Sequence, residues 1–254
     1  MSGKEPLIPR VSLAGSSMSA LVHAIPIATS RTGRPVILIG GLAVICRINA
    51  PYRSTSDVDT VDRRRGSDSS QLDLLIRAGA EESGPVGALI DTPAGPIRVD
   101  VIEVKDSDLH QLPEDPTGRL HVLAHEWAEA SATPMLLEAD NLEAVEVPVA
   151  EPGPLVAMKL QSLPDRAKDK EATDLLDISR LMLDRSTGAQ ARNQLAGAAP
   201  QIREDALRHV QLWFERNAAT SASRMKSIPE GRETTRDDVL FLGELLTESL
   251  GGRS

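Results

Sequence analysis

Aromatic side chains are scarce in this 254-residue chain, which holds two Trp, two Phe and one Tyr. A protein that grips single-stranded nucleic acid by stacking bases on rings needs more of them, together with a basic surface. The basic surplus is missing too: 28 Lys and Arg stand against 37 Asp and Glu, a net charge of −9. Cysteine occurs once, as Cys46. One cysteine excludes an intramolecular disulfide and suits a reducing compartment. The opening residues, MSGKEPLIPR, lack the charged-then-apolar layout of a signal peptide. The longest apolar run, residues 36–45, is too short to span a bilayer and contains Gly40-Gly41. These absences predict a soluble cytoplasmic protein with no membrane partner.

What is present is an aliphatic core and an uneven charge. Apolar residues make up 41% of the chain, enough to exclude disorder. Residues 1–150 carry 13 basic and 21 acidic side chains, whereas residues 151–198 carry 7 of each. The acidity of the first part suits either a solvated face or a cation site. The element pattern divides at the same place. Before EPGP at 151–154 the chain alternates helical and strand-like runs. Strands are expected at Val36–Ile39, Asp57–Asp62, Gly87–Asp91, Ile97–Val104, Pro134–Glu138 and Leu142–Val149. Residues 16–30 read as a weak helix interrupted by Pro26, and TPAGP at 92–96 as a hairpin turn. Beyond residue 151 nearly everything reads as helix, over Leu155–Leu163, Glu171–Leu183, Ala189–Ala198, Ile202–Asn217 and Arg236–Leu250. The expected class is α+β: a core domain over 1–150 with a small mixed sheet, then a C-terminal helical bundle over 151–254.

The sharpest local feature is Asp57-Val58-Asp59. Residues i and i+2 of a strand share a face, so the two carboxylates stand side by side while Val58 packs inward. Adjacent carboxylates repel and raise each other's pKa unless a cation lies between them. Asp100, in Val99-Asp100-Val101-Ile102, is a lone acid among apolar neighbours on another strand. If that strand lies beside the first, three carboxylates converge. Such an oxygen-only set suits Mg²⁺ or Mn²⁺. Two such ions, roughly 3.5–4 Å apart, can activate an attacking hydroxyl and stabilise a leaving phosphate. Gly40-Gly41, between a strand and a helix, lets backbone approach a phosphate closely.

In this order, "ILIGGLAVICRINAPYRSTSDVDTV" (37–61) resembles the Gly-Gly/Ser…Asp-x-Asp signature of the polymerase-β-like nucleotidyltransferase superfamily. Its wording is similar to the AbiEii-type toxins, including the MenT-like tRNA nucleotidyltransferases. A second stretch, "LVAMKLQSLPDRAKDKEATDLLDISRLM" (155–182), is similar to that group's Lys…Arg…Asp segment. The resemblance implies a polymerase-β-like core and transfer of a nucleoside monophosphate (NMP) from an NTP to a hydroxyl, with release of pyrophosphate. It implies that Gly40 and Gly41 cradle the triphosphate, that Asp57 and Asp59 bind two Mg²⁺ or Mn²⁺ ions, and that Asp100 binds the ion nearest the acceptor. Lys159 would reach the nucleotide, Asp174 would hold the lysine or a loop, and Arg53 and Arg166 would meet the triphosphate or the carboxylates. The implied acceptor is a tRNA 3′ end, and the implied partner an antitoxin. Leu42 departs from the pattern, standing where many relatives carry Ser or Thr.

Other features have plainer readings. Asp174 and Asp177, three apart on a helix, suit a helix–helix polar contact as well as a site. Arg63-Arg64-Arg65 could meet RNA phosphates or lie solvated in a loop. His121 and His125 lack a third zinc ligand and are expected to be structural or surface residues. Cys46 is expected to be buried. Tyr52 is the ring nearest in sequence to the acids, and so the candidate ring for stacking a base, although an aliphatic or arginine face is favoured over it. Two rivals stand beside transfer to RNA. One is transfer to a small molecule, such as an aminoglycoside, or to a protein side chain, which the acidic first part suits. The other is a degenerate homologue that binds without turnover.

Overall fold

A computed structural model describes residues 8–48, 51–165 and 167–251. The described chain is α+β, with one eight-stranded mixed sheet and eleven α-helices among the described residues. The strands are β1 (Arg10–Leu13), β2 (Ile37–Ile39), β3 (Asp57–Arg64), β4 (Glu81–Glu82), β5 (Gly87–Thr92), β6 (Gly95–Lys105), β7 (Thr133–Ala139) and β8 (Leu142–Val149). They lie in the order β1-β7-β8-β2-β3-β6-β5-β4. β3 pairs with β2 antiparallel and with β6 parallel. It therefore runs through the middle of the sheet, where both its edges are satisfied.

The first helix, α1 (Ser16–Thr32), runs through Pro26 without a break. Proline removes one intrahelical hydrogen bond and crowds the preceding turn. Here its ring is exposed, while Leu21, Val22, Ile25 and Ala28 on the same helix are buried. Tertiary packing thus overrides the local break. Gly33 closes the helix in the left-handed region at φ 67°. The next helix, α2 (Gly40–Arg47), begins directly at the end of β2 and is buried from Gly41 to Cys46. β3 is followed by α3 (Gln71–Arg77), whose cap Ser70 accepts from the N–H groups of Leu72 and Asp73. The β5–β6 hairpin turns through Pro93-Ala94 as its sequence indicates. After β6 come α4 (Asp106–His110) and α5 (Pro116–Ser131), the latter capped by Asp115 with Pro116 at its first position.

Past β8 the chain is helical. It forms α6 (Pro152–Ser162), α7 (Lys168–Leu183), α8 (Gly188–Gly197), α9 (Pro200–Val210), α10 (Ala218–Lys226) and α11 (Arg236–Gly251). The single helix expected over 202–217 is instead α9 followed by a π-helical turn, Gln211–Arg216. α6 is buried from Pro152 to Leu160. A helix apolar all round is central rather than amphipathic, and α6 packs among α2, α5, α7 and α8. One apolar cluster runs from Leu13 through the sheet to Leu250. No helix of the described residues is long and apolar enough to cross a membrane.

Candidate active site

The site starts from strand periodicity. Asp57 and Asp59 project from one face of β3, while Val58 between them is 1% exposed on the other. Register then adds the third acid: Asp59 lies opposite Asp100 on β6. Parallel neighbours run about 4.8 Å apart, so this pairing alone makes the two side chains adjacent. Each of the three carboxylates offers an oxygen within 4.8 Å of the others. Among the described residues this is the one cluster of three or more His, Cys, Asp or Glu that could hold a metal ion.

The electrostatics fit a cation. Burial, then the Asp57 charge and more weakly that of Asp100, push the Asp59 carboxyl up to about 6, against an opposing pull from Lys159 and the Gly41 N–H. An acid cluster at this proximity is short of positive charge, and an all-oxygen donor set matches a hard divalent ion such as Mg²⁺ or Mn²⁺. Part of the deficit is met by protein. Arg98, two residues before Asp100 and so on the same face, donates its Nε to Asp100 Oδ1 at 2.7 Å. Thr55 Oγ1 donates to Asp57 Oδ1 at 2.8 Å.

Both glycines stand where a side chain would collide. Gly40 is left-handed at φ 65°, and a Cβ there would fall 1.9 Å from Asp59 Oδ2. The space it leaves is taken by Asp59, which tucks under the start of α2 and accepts from the Gly41 N–H at 3.4 Å. A Cβ at Gly41 would meet the Arg53 guanidinium at 2.9 Å and Thr55 Oγ1 at 3.0 Å. Gly41, unlike Gly40, lines the open cleft. Leu42 is fully buried and faces the core.

Opposite this acidic floor stands a wall built from α6 and α7. Lys159, 7% exposed, donates to Asp174 and, at 2.9 Å, to Asp177. Burial by itself would lower the pKa of that ammonium; Asp177 and Asp174 more than reverse this, and the net direction is up. Asp177 is fully buried and held below its usual range. Burial opposes its ionisation, but Lys159 and Arg53 outweigh it. Arg53 grips the same carboxylate through Nε at 3.0 Å and Nη2 at 2.8 Å. Tyr52 donates its hydroxyl to Asp177 as well. Its ring lies under Arg180, with the guanidinium carbon 5.2 Å from the centroid.

Floor and wall enclose a cleft of about 650 Å³. Asp57, Asp59, Gly41, Arg53, Lys159 and Asp174 all line it, with Lys170 and Thr173 beside them on α7. Ser16, Ser17, Ala20 and Leu21 of α1 and Ala94 and Ile97 of the hairpin form the far side. No aromatic ring of the described residues lines the cleft, and Tyr52, the candidate ring, is turned to α7. Arg166 lies outside the described residues. Sequence reasoning weighs Asp177 with Asp174 but does not count it among the site residues, and it passes over Lys170, Thr55 and the first turn of α1. Only Asp177 carried a signal, its i+3 spacing from Asp174. Nothing local marks the others, because the fold brings them in.

The remaining candidates lie elsewhere. Arg63, Arg64 and Arg65 pair with Asp106 at 2.6 Å, Glu103 at 3.1 Å and Glu129 at 3.0 Å. The first two sit on β3 rather than in a loop. The His121 and His125 rings lie 4.3 Å apart, tilted by 47°; burial and the neighbouring His121 push His125 down to about 3. Cys46 is buried, which pushes its thiol up to about 12.

No family model matches this chain, and no curated protein matches it. Among solved structures it is similar to an antigenic nucleotidyltransferase-like protein from Paracoccidioides brasiliensis. The two share 18% identity over 76% of this chain and 94% of that one, with a TM-score of 0.42.

Proposed function

We propose that this protein is a metal-dependent nucleotidyltransferase that moves an NMP from an NTP to an acceptor hydroxyl. The observation that carries the reading is the convergence of Asp57, Asp59 and Asp100 in front of a wall bearing Lys159 and Arg53. Divalent ions bound at the three carboxylates would supply charge neutralisation at the reacting phosphate and lower the pKa of the attacking hydroxyl. The chain's own part is orientation and charge. Asp57 and Asp59 would hold both ions, and Asp100 the one nearest the acceptor. Asp100 faces the acceptor and takes its proton. Lys159 and Arg53 present positive charge to the triphosphate, and Gly41 leaves room for it. The acceptor oxygen bonds to the α-phosphorus as the bond to pyrophosphate breaks, with no covalent enzyme intermediate. Catalysis is positioning and electrostatics.

The AbiEii-type motifs in the sequence favour a tRNA 3′ end as acceptor, in a toxin held in check by an antitoxin. A second reading, a small-molecule or protein hydroxyl, is favoured by the arginine triplet: all three side chains are engaged in ion pairs, so they do not form a ready phosphate-binding strip. The departure that motivates the degenerate-homologue reading, Leu42, is buried in the core. The test is incubation with each α-labelled NTP, Mg²⁺ and total tRNA, then with aminoglycosides and with protein acceptors. Label on tRNA from the wild type, absent with Asp57→Ala and Asp59→Ala, supports the first reading. Label only on the other acceptors supports the second. Equal inertness of wild type and variants with every acceptor overturns transferase activity.

A further inference from the structure

One buried carboxylate holds both cations of the wall. Asp177 has no exposed surface, yet four donors meet it: Nε and Nη2 of Arg53, Nζ of Lys159 and the Tyr52 hydroxyl. These donors come from two separate pieces of chain. Lys159 is on α6, while Tyr52 and Arg53 precede β3. From Arg53 the chain of contacts continues to the floor. Its guanidinium occupies the space over Gly41, and Thr55, two residues on, bonds to Asp57. A guanidinium gripped along one edge by two parallel hydrogen bonds is fixed in plane and direction, which a single hydrogen bond does not achieve.

We propose that Asp177 is a positioning residue of this site: it aims Arg53 and Lys159 at the triphosphate and ties the segment 51–56 to the helical wall, without itself touching substrate. The inference rests on the nucleotidyltransferase reading and extends it to a residue that faces away from the reaction. A carboxylate serving only as a staple between helices would matter for folding alone. A positioning carboxylate acts through Arg53, so its removal and the removal of Arg53 must overlap.

The experiment is a double-mutant cycle on the full chain. It measures binding of the four α,β-methylene NTP analogues with Mg²⁺ by calorimetry, for the wild type, Asp177→Asn, Arg53→Gln and the double variant. Each single change is expected to weaken binding about tenfold, and the double variant no more than about tenfold, because both remove one device. Additive losses, near a hundredfold in the double variant, overturn the proposal. If Asp177→Asn does not fold, Arg53→Lys takes its place. That change keeps the charge and removes the fork, so binding should fall about tenfold at unchanged Tm. Undiminished binding by Arg53→Lys overturns the proposal. A wild type that binds none of the analogues removes the nucleotide reading and this inference with it. A wild type that binds them, with Asp177→Asn binding equally well, removes this inference alone.

Discussion

The floor and the wall of the cleft treat charge in opposite ways. On the floor three carboxylates crowd within 4.8 Å, and Asp59 is pushed up to about 6. On the wall the buried charges at the cleft have partners among the described residues: Asp177 and Asp174 take Lys159, and Asp177 takes Arg53. The wall is complete as folded protein. The floor is built at a cost that Arg98 and Lys159 offset only in part, leaving a role for an added cation. A stable protein tolerates such strain at a functional site more readily than elsewhere, so the imbalance marks where the chemistry lies.

Four measurements bear on that contrast. The largest effect should come from removing the floor. Asp57→Ala or Asp59→Ala should lower NMP transfer by about a thousandfold or more while the protein stays folded, a scale typical of lost charge stabilisation in a transition state. Activity within tenfold of wild type would show that the acids are not the metal-binding centre. Next comes the wall. Asp177→Ala leaves Arg53 without its ion-pair partner and Lys159 with one fewer, and should cost about 3–5 kcal/mol of stability in urea unfolding. A loss below 1 kcal/mol would mean that the wall is not the self-satisfied network described.

A smaller effect of opposite sign separates floor from wall. In EDTA at pH 7.5, where Asp59 is ionised, Asp59→Asn relieves repulsion and should raise Tm by a few degrees, roughly what 1 kcal/mol gives in a chain of this size. Adding Mg²⁺ should then raise the Tm of the wild type and leave that of Asp59→Asn unchanged. A lower Tm for Asp59→Asn in EDTA would break the comparison. The smallest effect concerns a buried group outside both regions. The folded pKa of His125, about 3, lies below the ordinary 6.5. As pH falls from about 6.5 toward 3 the unfolded chain takes up a proton that the folded chain refuses, so stability drops by at most one proton's slope. Chemical unfolding of His125→Gln should show a flatter acid limb over that window, with the neutral-pH effect of the metal on Tm intact.

Local regularities were legible where their period is short. Asp57 and Asp59 share a face because side chains on any strand alternate, so the spacing sufficed. The β5–β6 hairpin was legible from Pro93 and Gly95 at its turn. Pro26 was misleading because the packing of Leu21, Val22 and Ile25 outweighs one missing hydrogen bond. The helix expected over 202–217 changes to a π-helical turn at Gln211, a shift of hydrogen-bond register that leaves no mark on an apolar period. Tyr52 drew attention as the ring closest in sequence to the acids, yet proximity along the chain says nothing about which way a loop side chain turns. Here a buried acid on α7 captures it.

The sequence by itself determined the paired carboxylates, the glycines at the end of β2, the scarcity of rings and the α+β order of elements, all properties of residue type and short-range period. Tertiary structure decided the rest. Strand order put Asp100 beside Asp59, although 41 positions separate them in the chain. Docking of α7 made Asp177 the common anchor of Arg53, Lys159 and Tyr52. Pairing of β2 with β3 filled the space at Gly40 with the Asp59 carboxylate rather than leaving it open to the cleft. The reason is physical: a carboxylate's neighbours set its charge state and its reach, and those neighbours come from distant segments joined by burial of one shared core.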